Sequence, residues 1–198
     1  MVGPPATTLT DPSDWVTAVS LTVVFCGRSS TLPASARFAI MEYMSGQAKI
    51  DYLATLLSAV RGTVGSVLFA SLYVRQDGKL SDILEGGRVS CAYFVSVLLH
   101  ALKLIETPHA TVSGTVADLE GHGWIRLDRP RPGAVLLWEP ADHDGSANRH
   151  LGFYVGDDRA ISNSTSQRVI AEHHWTFGEH DGRPVRGVKA VYWHPTLG

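Results

Sequence analysis

The spacing of apolar residues changes along this chain and separates a helical segment from a run of strands. After Gly86-Gly87, apolar residues recur every three or four positions, which is the period of one buried helix face. These residues are Phe94, Val95, Leu98, Leu99 and Leu102. Ser90 is a favourable N-cap residue, so the pattern predicts a helix that begins at Cys91.

From residue 134 onward, short runs of β-branched and aromatic residues alternate with turn residues, a pattern typical of strands. The turn residues Pro130 to Gly133 precede the first run. The pattern predicts a small antiparallel sheet with strands at Ala134–Trp138, His150–Val155, Ala160–Ser164, Val169–His173 and Val188–Trp193. A helix followed by such a sheet predicts the α+β class.

The first part of the chain has a different pattern. Residues 34–60 carry apolar residues at helical spacing, interrupted near Ser45-Gly46, which predicts two helical segments. Residues 67–74 fit either a strand or a short buried helix. We therefore expect one domain over residues 1–198, with a mainly helical N-terminal extension at 1–75 and a core at 76–198.

Composition is that of one compact globular domain. The chain has 198 residues, 44% hydrophobic content and a formal net charge of −2, so it can bury a sizeable core. The near-neutral balance and the absence of a basic run argue against nucleic acid as the main partner. The pattern gives no indication of the oligomeric state.

The N-terminal residues indicate neither a signal peptide nor a membrane span. Residues 1–14 contain no basic residue, and the apolar stretch Trp15–Cys26 is too short to cross a bilayer. We expect no integral membrane association. The compartment stays open between export by a dedicated route and the cytoplasm.

Cys91 is the first candidate for chemistry. A thiol at a helix N-terminus lies beside the positive end of the helix dipole and beside backbone N–H groups, which lower its pKa and favour the nucleophilic thiolate. A small buried structural cysteine is the alternative. Cys26 has no nearby histidine and is expected to be structural, since two cysteines make no disulfide framework.

His150 and Asn163 complete the candidate site by strand parity. If Gly156 to Arg159 form the loop of a hairpin, Val155 pairs with Ala160, and alternation then places His150 and Asn163 on one face. An amide beside an imidazole fixes its tautomer, so that the histidine can take a proton from a thiol. A bulge in the hairpin would shift the parity and place Ser162 there instead.

Three ordered segments resemble the NlpC-type papain-like cell-wall cysteine peptidases and amidases. They are Gly86 to Ser96, Arg131 to Trp138 and His150 to Gly156, and the resemblance covers about residues 80–170. In that family a cysteine opens a helix, a Pro-Gly turn introduces a strand and a His-x-Gly-aromatic-Tyr-x-Gly strand supplies the base. The chain departs from the pattern in having Ser90 before the cysteine, where Asp is usual, and Ala92-Tyr93 after it, where Ser-Gly is usual.

The resemblance implies a papain-like fold with a catalytic cysteine at a helix N-terminus, and the apolar pattern adds the small antiparallel sheet and extra N-terminal helices. It implies a thiol protease or amidase that hydrolyses an amide bond of peptidoglycan, within a stem peptide or at N-acetylmuramic acid, without a cofactor. Cys91 would be the nucleophile and His150 the base. The third residue of the family is usually a second histidine, which an ungapped match places at Ser162. We choose Asn163, because parity favours it and related amidase branches use asparagine.

Other classes compete with this hypothesis. The same three residues would serve an acyltransferase or deamidase acting on a cytoplasmic or host substrate, and a non-catalytic binding module could keep the fold. Nine histidines also raise a zinc site at His143, His150, His173 and His174. The chain has no His-Glu-x-x-His motif, and adjacent histidines on a strand point to opposite faces, so we expect no metal.

Overall fold

The computed structural model describes residues 22–25, 28–31, 49–143 and 146–198, and only the backbone of 22–25, 28–31, 142–143 and 146–147. The chain divides into two compact units, 1–49 and 50–198. In the first unit, β1 (Thr22–Phe25) pairs with β2 (Arg28–Thr31) in an antiparallel hairpin. Cys26 and residues 34–48, where helical segments were expected, lie outside the described residues. The predicted division at residue 75 stays a prediction.

The second unit is organised by a six-stranded sheet in the order β5-β12-β6-β7-β8-β9, in which all neighbours are antiparallel. Its strands are β5 (Ile125–Leu127), β6 (Val135–His143), β7 (Ser146–Gly156), β8 (Arg159–Ser164), β9 (Val169–His174) and β12 (Val188–Trp193). The five predicted strands are therefore present, and the short edge strand β5 is an addition. Strands β6 to β9 follow one another as consecutive hairpins, and β12 returns to lie beside β6.

Two small hairpins accompany this sheet. Strands β3 (Tyr73–Gln76) and β4 (Lys79–Asp82) form the first, and β10 (Glu179–His180) and β11 (Arg183–Pro184) form the second. Asp77 and Gly78 both have positive φ and make the first turn. Residues 67–74 were expected to form either a strand or a short buried helix, and their last two residues, Tyr73 and Val74, lie in a strand. The second hairpin lies in the connection between β9 and β12.

Three α-helices complete the described part of this unit. They are α1 (Tyr52–Gly62), α2 (Cys91–Ala101) and α3 (Val112–Gly121). Asp51 caps α1 by accepting from the Ala54 N–H at 2.8 Å, and Thr111 caps α3 by accepting from the Gly114 N–H at 3.1 Å. Helix α2 begins at Cys91 as the sequence predicts. No helix of the described residues is long and apolar enough to cross a membrane.

Helix α2 packs against strands β7 and β8 of the sheet. At their contact the rings of Phe94 and Phe153 meet edge to face, with centroids 5.6 Å apart, and Phe69 lies 5.2 Å from Phe94 on its other side. These side chains are almost completely buried. The helices and the antiparallel sheet confirm the predicted α+β class, and their contact fixes the first turn of α2 beside the middle of β7.

Candidate functional site

Cys91 is the first residue of α2, and 7% of its surface is exposed. Ser90 occupies the N-cap position, but its hydroxyl makes no hydrogen bond to the helix and lies 3.5 Å from the Gly87 carbonyl oxygen. The first backbone N–H groups of α2 therefore receive no side-chain cap from Ser90. In this turn the backbone N–H of Ala92 donates to the Cys91 sulfur instead.

Burial raises the pKa of the Cys91 thiol above that of an ordinary cysteine. Hydrogen bonds from the backbone N–H groups of Leu151 and Ala92, together with the positive charge of Arg186, act in the opposite direction without outweighing the burial. The N–H groups at the helix N-terminus act in the predicted direction, but burial outweighs them, so the predicted net lowering of the pKa of Cys91 is wrong for the free protein. At neutral pH Cys91 is a protonated thiol.

His150 lies in β7 directly opposite Trp138 of β6 and is also buried, with 7% of its surface exposed. Its ring centroid is 5.5 Å from Trp138 and 6.0 Å from Phe177. These aromatic contacts restrict the orientation of the imidazole. Cys91 and His150 line the same cavity, and the residue after His150 donates its N–H to the Cys91 sulfur.

The structure places Ser162 and not Asn163 on the face of His150. Tyr154 pairs with Ala160 and Gly156 pairs with Arg159, so Val155 is an extra residue on β7. The turn has two residues, Asp157 and Asp158, both with positive φ, where a four-residue loop was expected. The bulge shifts the predicted parity by one residue, so the predicted juxtaposition of His150 and Asn163 is wrong.

Ser162 connects two histidines across three strands. Its Oγ lies 2.9 Å from Nε2 of His150 and 2.8 Å from Nε2 of His173 on β9. Nδ1 of His173 lies 2.8 Å from the backbone carbonyl of His174, and the His173 ring stacks on Phe177 at 4.1 Å. Burial lowers the pKa of His173, which favours its neutral form. The sequence pointed to His173 only as a possible metal ligand.

Asn163 points to the other face of β8 and is 3% exposed. Its Nδ2 donates to the carbonyl oxygen of Gly87 at 2.8 Å. Gly87 lies in the loop that leads into α2 and has φ +93°, a conformation that favours glycine. Asn163 therefore contacts the loop before Cys91 and not the imidazole.

Asp82 holds the beginning of the same loop. Its carboxylate accepts from the backbone N–H groups of Leu72 and Leu84 at 3.0 Å and of Gly86 at 2.8 Å. These hydrogen bonds, that of Gly86 foremost, lower the pKa of Asp82 to about 2. Asp82 and Asn163 thus fix the loop at two points before Cys91.

Two cavities meet at His150. One of about 400 Å³ contains Cys91, and a second of about 880 Å³ extends along Ser162 and His173. Both are lined by Arg88, His150, Thr165 and Arg186. We call the two cavities together the cleft.

Among the charged side chains that line the cleft, four are arginines and one, Glu172, is a carboxylate. Arg149 lines its smaller part and Arg168 its larger part, in addition to the two arginines that both share. Arg186 is 9% exposed, and it donates from Nε to the Glu139 carbonyl at 2.8 Å and from Nη2 to the Asn148 carbonyl at 2.7 Å. A buried guanidinium whose bonds go to neutral carbonyls contributes a positive potential beside Cys91.

Known proteins share little sequence with this chain. No family model matches it, and neither does any curated protein. Among solved structures it is similar to NlpC2 from Trichomonas vaginalis, with 15% sequence identity and a TM-score of 0.44. The similarity covers 73% of this chain and 47% of that one, so this chain spans about half the length of that protein.

The zinc alternative gains no support from the described part of the chain. There, no group of three or more His, Cys, Asp or Glu side chains is placed to hold a metal ion. His173 is engaged with Ser162, while Nδ1 of His174 lies 2.8 Å from the Thr176 hydroxyl. The side chain of His143 lies outside the described residues.

Proposed function

We propose that this protein is a cysteine hydrolase of the NlpC type with a papain-like fold, in which Cys91 attacks an amide carbonyl and His150 is the base. The observation that carries the proposal is the joint placement of the two residues. Cys91 opens a helix and lines one cavity with His150, whose ring is held by Ser162 at 2.9 Å. A thiol, an imidazole and a group that orients the imidazole are the parts that nucleophilic catalysis requires.

The reaction begins from the protonated thiol. As the Cys91 sulfur bonds to the carbonyl carbon, His150 takes the thiol proton, and the carbonyl π electrons move to oxygen. The backbone N–H of Cys91 at the start of α2 is a donor for this oxyanion. When the carbonyl re-forms, the C–N bond breaks and His150 gives its proton to the amine. Water, deprotonated by His150, then cleaves the thioester and restores the thiol.

Because the pKa of Cys91 is raised, the resting state in this scheme is a neutral thiol beside His150 and not a thiolate–imidazolium ion pair. His150 therefore acts as a general base that removes the thiol proton during the attack. Moving the proton from Cys91 to His150 creates two charges in a buried site, which is costly unless they are stabilised. The charge of Arg186 and the N–H groups of Leu151 and Ala92 stabilise the thiolate. The hydrogen bond to Ser162 is available to the imidazolium.

We propose an amide bond of peptidoglycan as the substrate, in a stem peptide or at N-acetylmuramic acid. Stem peptides carry free carboxylates, and the lining of the cleft contains Arg88, Arg149, Arg168 and Arg186 against the single carboxylate of Glu172. A positive cleft raises the local concentration of an anionic substrate. The charge of the cleft supports this class of substrate over a cationic one.

Digestion of purified peptidoglycan, with products identified by mass, tests the proposal. We expect the protein to release fragments with one new amine and one new carboxylate, and Cys91→Ala and His150→Ala each to abolish the release. His100→Ala, an exposed histidine on α2, is the matched control and should keep wild-type activity. Appreciable hydrolysis by the Cys91→Ala variant would contradict the cysteine mechanism. Products joined to an added amine would identify an acyltransferase instead.

The burial of Cys91 favours one second candidate, a binding module that keeps the fold without catalysis. A buried thiol with a raised pKa is typical of a structural cysteine. Iodoacetamide labelling separates the two, because a catalytic sulfur must be open to a substrate. Cys91 that stays unlabelled over hours at pH 8 in the folded protein would support the binding module.

A further inference from the structure

The hydrogen atoms between His150 and His173 can be assigned from the chemistry of their partners. The carbonyl oxygen of His174 can only accept, so Nδ1 of His173, at 2.8 Å, carries a hydrogen and donates it. His173 is mostly buried, and burial lowers its pKa, so its ring is neutral and holds one hydrogen. Nε2 of His173 is therefore an acceptor.

This assignment fixes the direction of the next two hydrogen bonds. Nε2 of His173 accepts from the hydroxyl of Ser162, which lies 2.8 Å away and can donate its hydrogen. A hydroxyl has one hydrogen, so Ser162 must accept in its bond with Nε2 of His150 at 2.9 Å. Nε2 of His150 then carries a hydrogen, and in the neutral ring Nδ1 is the basic nitrogen.

We propose that Ser162 and His173 form a two-residue relay that fixes the tautomer of His150, so that Nδ1 is the nitrogen that takes the proton of Cys91. This inference rests on the proposed function for its consequence in catalysis, and on the hydrogen bonds and the burial of His173 for the tautomer. Both are positioning residues. A single orienting residue is replaced here by a hydroxyl, whose direction is set by the histidine behind it.

The relay is protected by its surroundings. Ser162 is 1% exposed, and the stacking of His173 on Phe177 at 4.1 Å and 17° fixes the plane of the second ring. Trp138 lies beside both rings, with centroids 5.5 Å from His150 and 5.6 Å from His173. Ser162 therefore has little contact with bulk water, whereas His173 is partly exposed where it lines the larger part of the cleft.

The relay predicts that loss of the His173 acceptor reverses the tautomer of His150 and does not merely weaken a hydrogen bond. In His173→Phe, the aromatic ring can still stack on Phe177, but the acceptor for Ser162 is gone. The Ser162 hydroxyl is then released to donate to Nε2 of His150, which favours the tautomer with hydrogen on Nδ1. That tautomer presents a donor where catalysis requires a base. His173→Gln restores an acceptor oxygen at a similar reach and should restore the original tautomer.

Nitrogen NMR of the histidine rings in the full chain tests the relay in the resting protein. We expect hydrogen on Nε2 of His150 in the wild type, hydrogen on Nδ1 in His173→Phe, and a return to Nε2 in His173→Gln. The kcat should fall about 10- to 100-fold in Ser162→Ala and His173→Phe, because a buried donor or acceptor is left unmatched. The KM should change little, because both substitutions leave Cys91 and the arginines of the cleft in place. His174→Phe, which retains the accepting carbonyl, is the matched control and should leave the tautomer unchanged.

The outcomes distinguish this inference from the proposed function. Hydrogen on Nδ1 of His150 in the wild type overturns the relay, even if a variant fails to fold. An unchanged tautomer in a folded His173→Phe variant also overturns it. A tautomer as assigned, combined with full hydrolysis by Cys91→Ala, would leave the relay standing and reject the cysteine mechanism.

Discussion

Replacing Gly152 by alanine tests whether the close approach of β7 and β8 is required at the site. A Cβ at this position would lie 2.7 Å from the Ile161 carbonyl oxygen, 2.7 Å from Cβ of Ser162 and 3.0 Å from Cη2 of Trp138. Non-bonded carbon atoms settle at about 3.5–4.0 Å, so β8 would have to move by roughly 0.8 Å. The Ile161 oxygen belongs to the backbone and cannot rotate away. The methyl group therefore displaces the strand that carries Ser162.

The expected cost follows from this geometry. Overpacking a core by one methyl group costs about 1–3 kcal/mol, and a clash with a strand backbone belongs at the upper end of that range. A loss of about 3 kcal/mol is a large part of the 5–15 kcal/mol that stabilises a typical domain. At about 2–4 °C per kcal/mol for a unit of this size, we expect Tm to fall by about 6–12 °C.

Thermal and urea unfolding of Gly152→Ala and Gly62→Ala provide the measurement and its control. Gly62 ends α1, and a Cβ there meets nothing within 4 Å, so Gly62→Ala should be neutral or stabilise by about 0.4–1 kcal/mol. The Ser162 hydroxyl moves with β8, so Gly152→Ala should also lower kcat at temperatures where it is folded. A Tm within 2 °C of wild type, with unchanged kcat, would refute the reasoning.

Three further predictions concern Cys91 and the loop before it. Arg186→Gln removes the positive charge, so it should raise the pKa of Cys91 further and slow the labelling of Cys91 by iodoacetamide at a given pH, whereas Arg186→Lys keeps the charge and should label like wild type. Equal labelling rates in wild type and both variants would exclude an electrostatic effect of Arg186. The pKa of Asp82 is lowered, so its contribution to stability is present above the ordinary carboxyl pKa and is lost as the pH falls toward 2. The difference in unfolding free energy between wild type and Asp82→Asn, measured by urea unfolding, should therefore shrink as the pH is lowered, and a constant difference would argue against this role of Asp82. Asn163→Ala should destabilise the protein by about 1–3 kcal/mol, because the buried Gly87 carbonyl loses its donor, and it should leave the tautomer of His150 unchanged by NMR.

The elements of the second unit were predictable because each has a regular period. The apolar residues after Ser90 follow a helical spacing, and α2 begins at Cys91. The β-branched and aromatic runs after residue 134 became strands β6 to β9 and β12. Strand β5, at Ile125–Leu127, has three residues and is mainly exposed, so no alternation revealed it. Local pattern therefore predicts the long elements and misses the short edge strand.

The third site residue was not predictable from alternation alone, because one extra residue inverts it. Asp157 and Asp158 form a tight two-residue turn, and the surplus Val155 is taken up as a bulge. The two aspartates were a signal for a turn with positive φ, and counting back from that turn gives the observed register. Two features of the sequence indicate Ser162, namely the ungapped family match and the possibility of a bulge. Strand alternation without a bulge indicates Asn163 instead.

His173 and Arg186 could not be assigned from the sequence because their positions depend on distant segments. His173 reaches Ser162 only through the register of β8 with β9, in which Ala160 pairs with His173. Arg186 follows the hairpin of β10 and β11, and its burial comes from carbonyls of β6 and β7. No local periodicity encodes a guanidinium that donates to carbonyls 47 and 38 residues away.

Strand β8 connects the two halves of the proposed mechanism through adjacent residues. Side chains alternate along a strand, so Ser162 and Asn163 must face opposite sides of the sheet. Ser162 contacts His150, the proposed base, and Asn163 contacts Gly87 in the loop before Cys91, the proposed nucleophile. A shift of β8 along its axis would therefore disturb the tautomer of His150 and the position of Cys91 together. The bulge that moved Asn163 away from His150 is also what lets one strand position both groups.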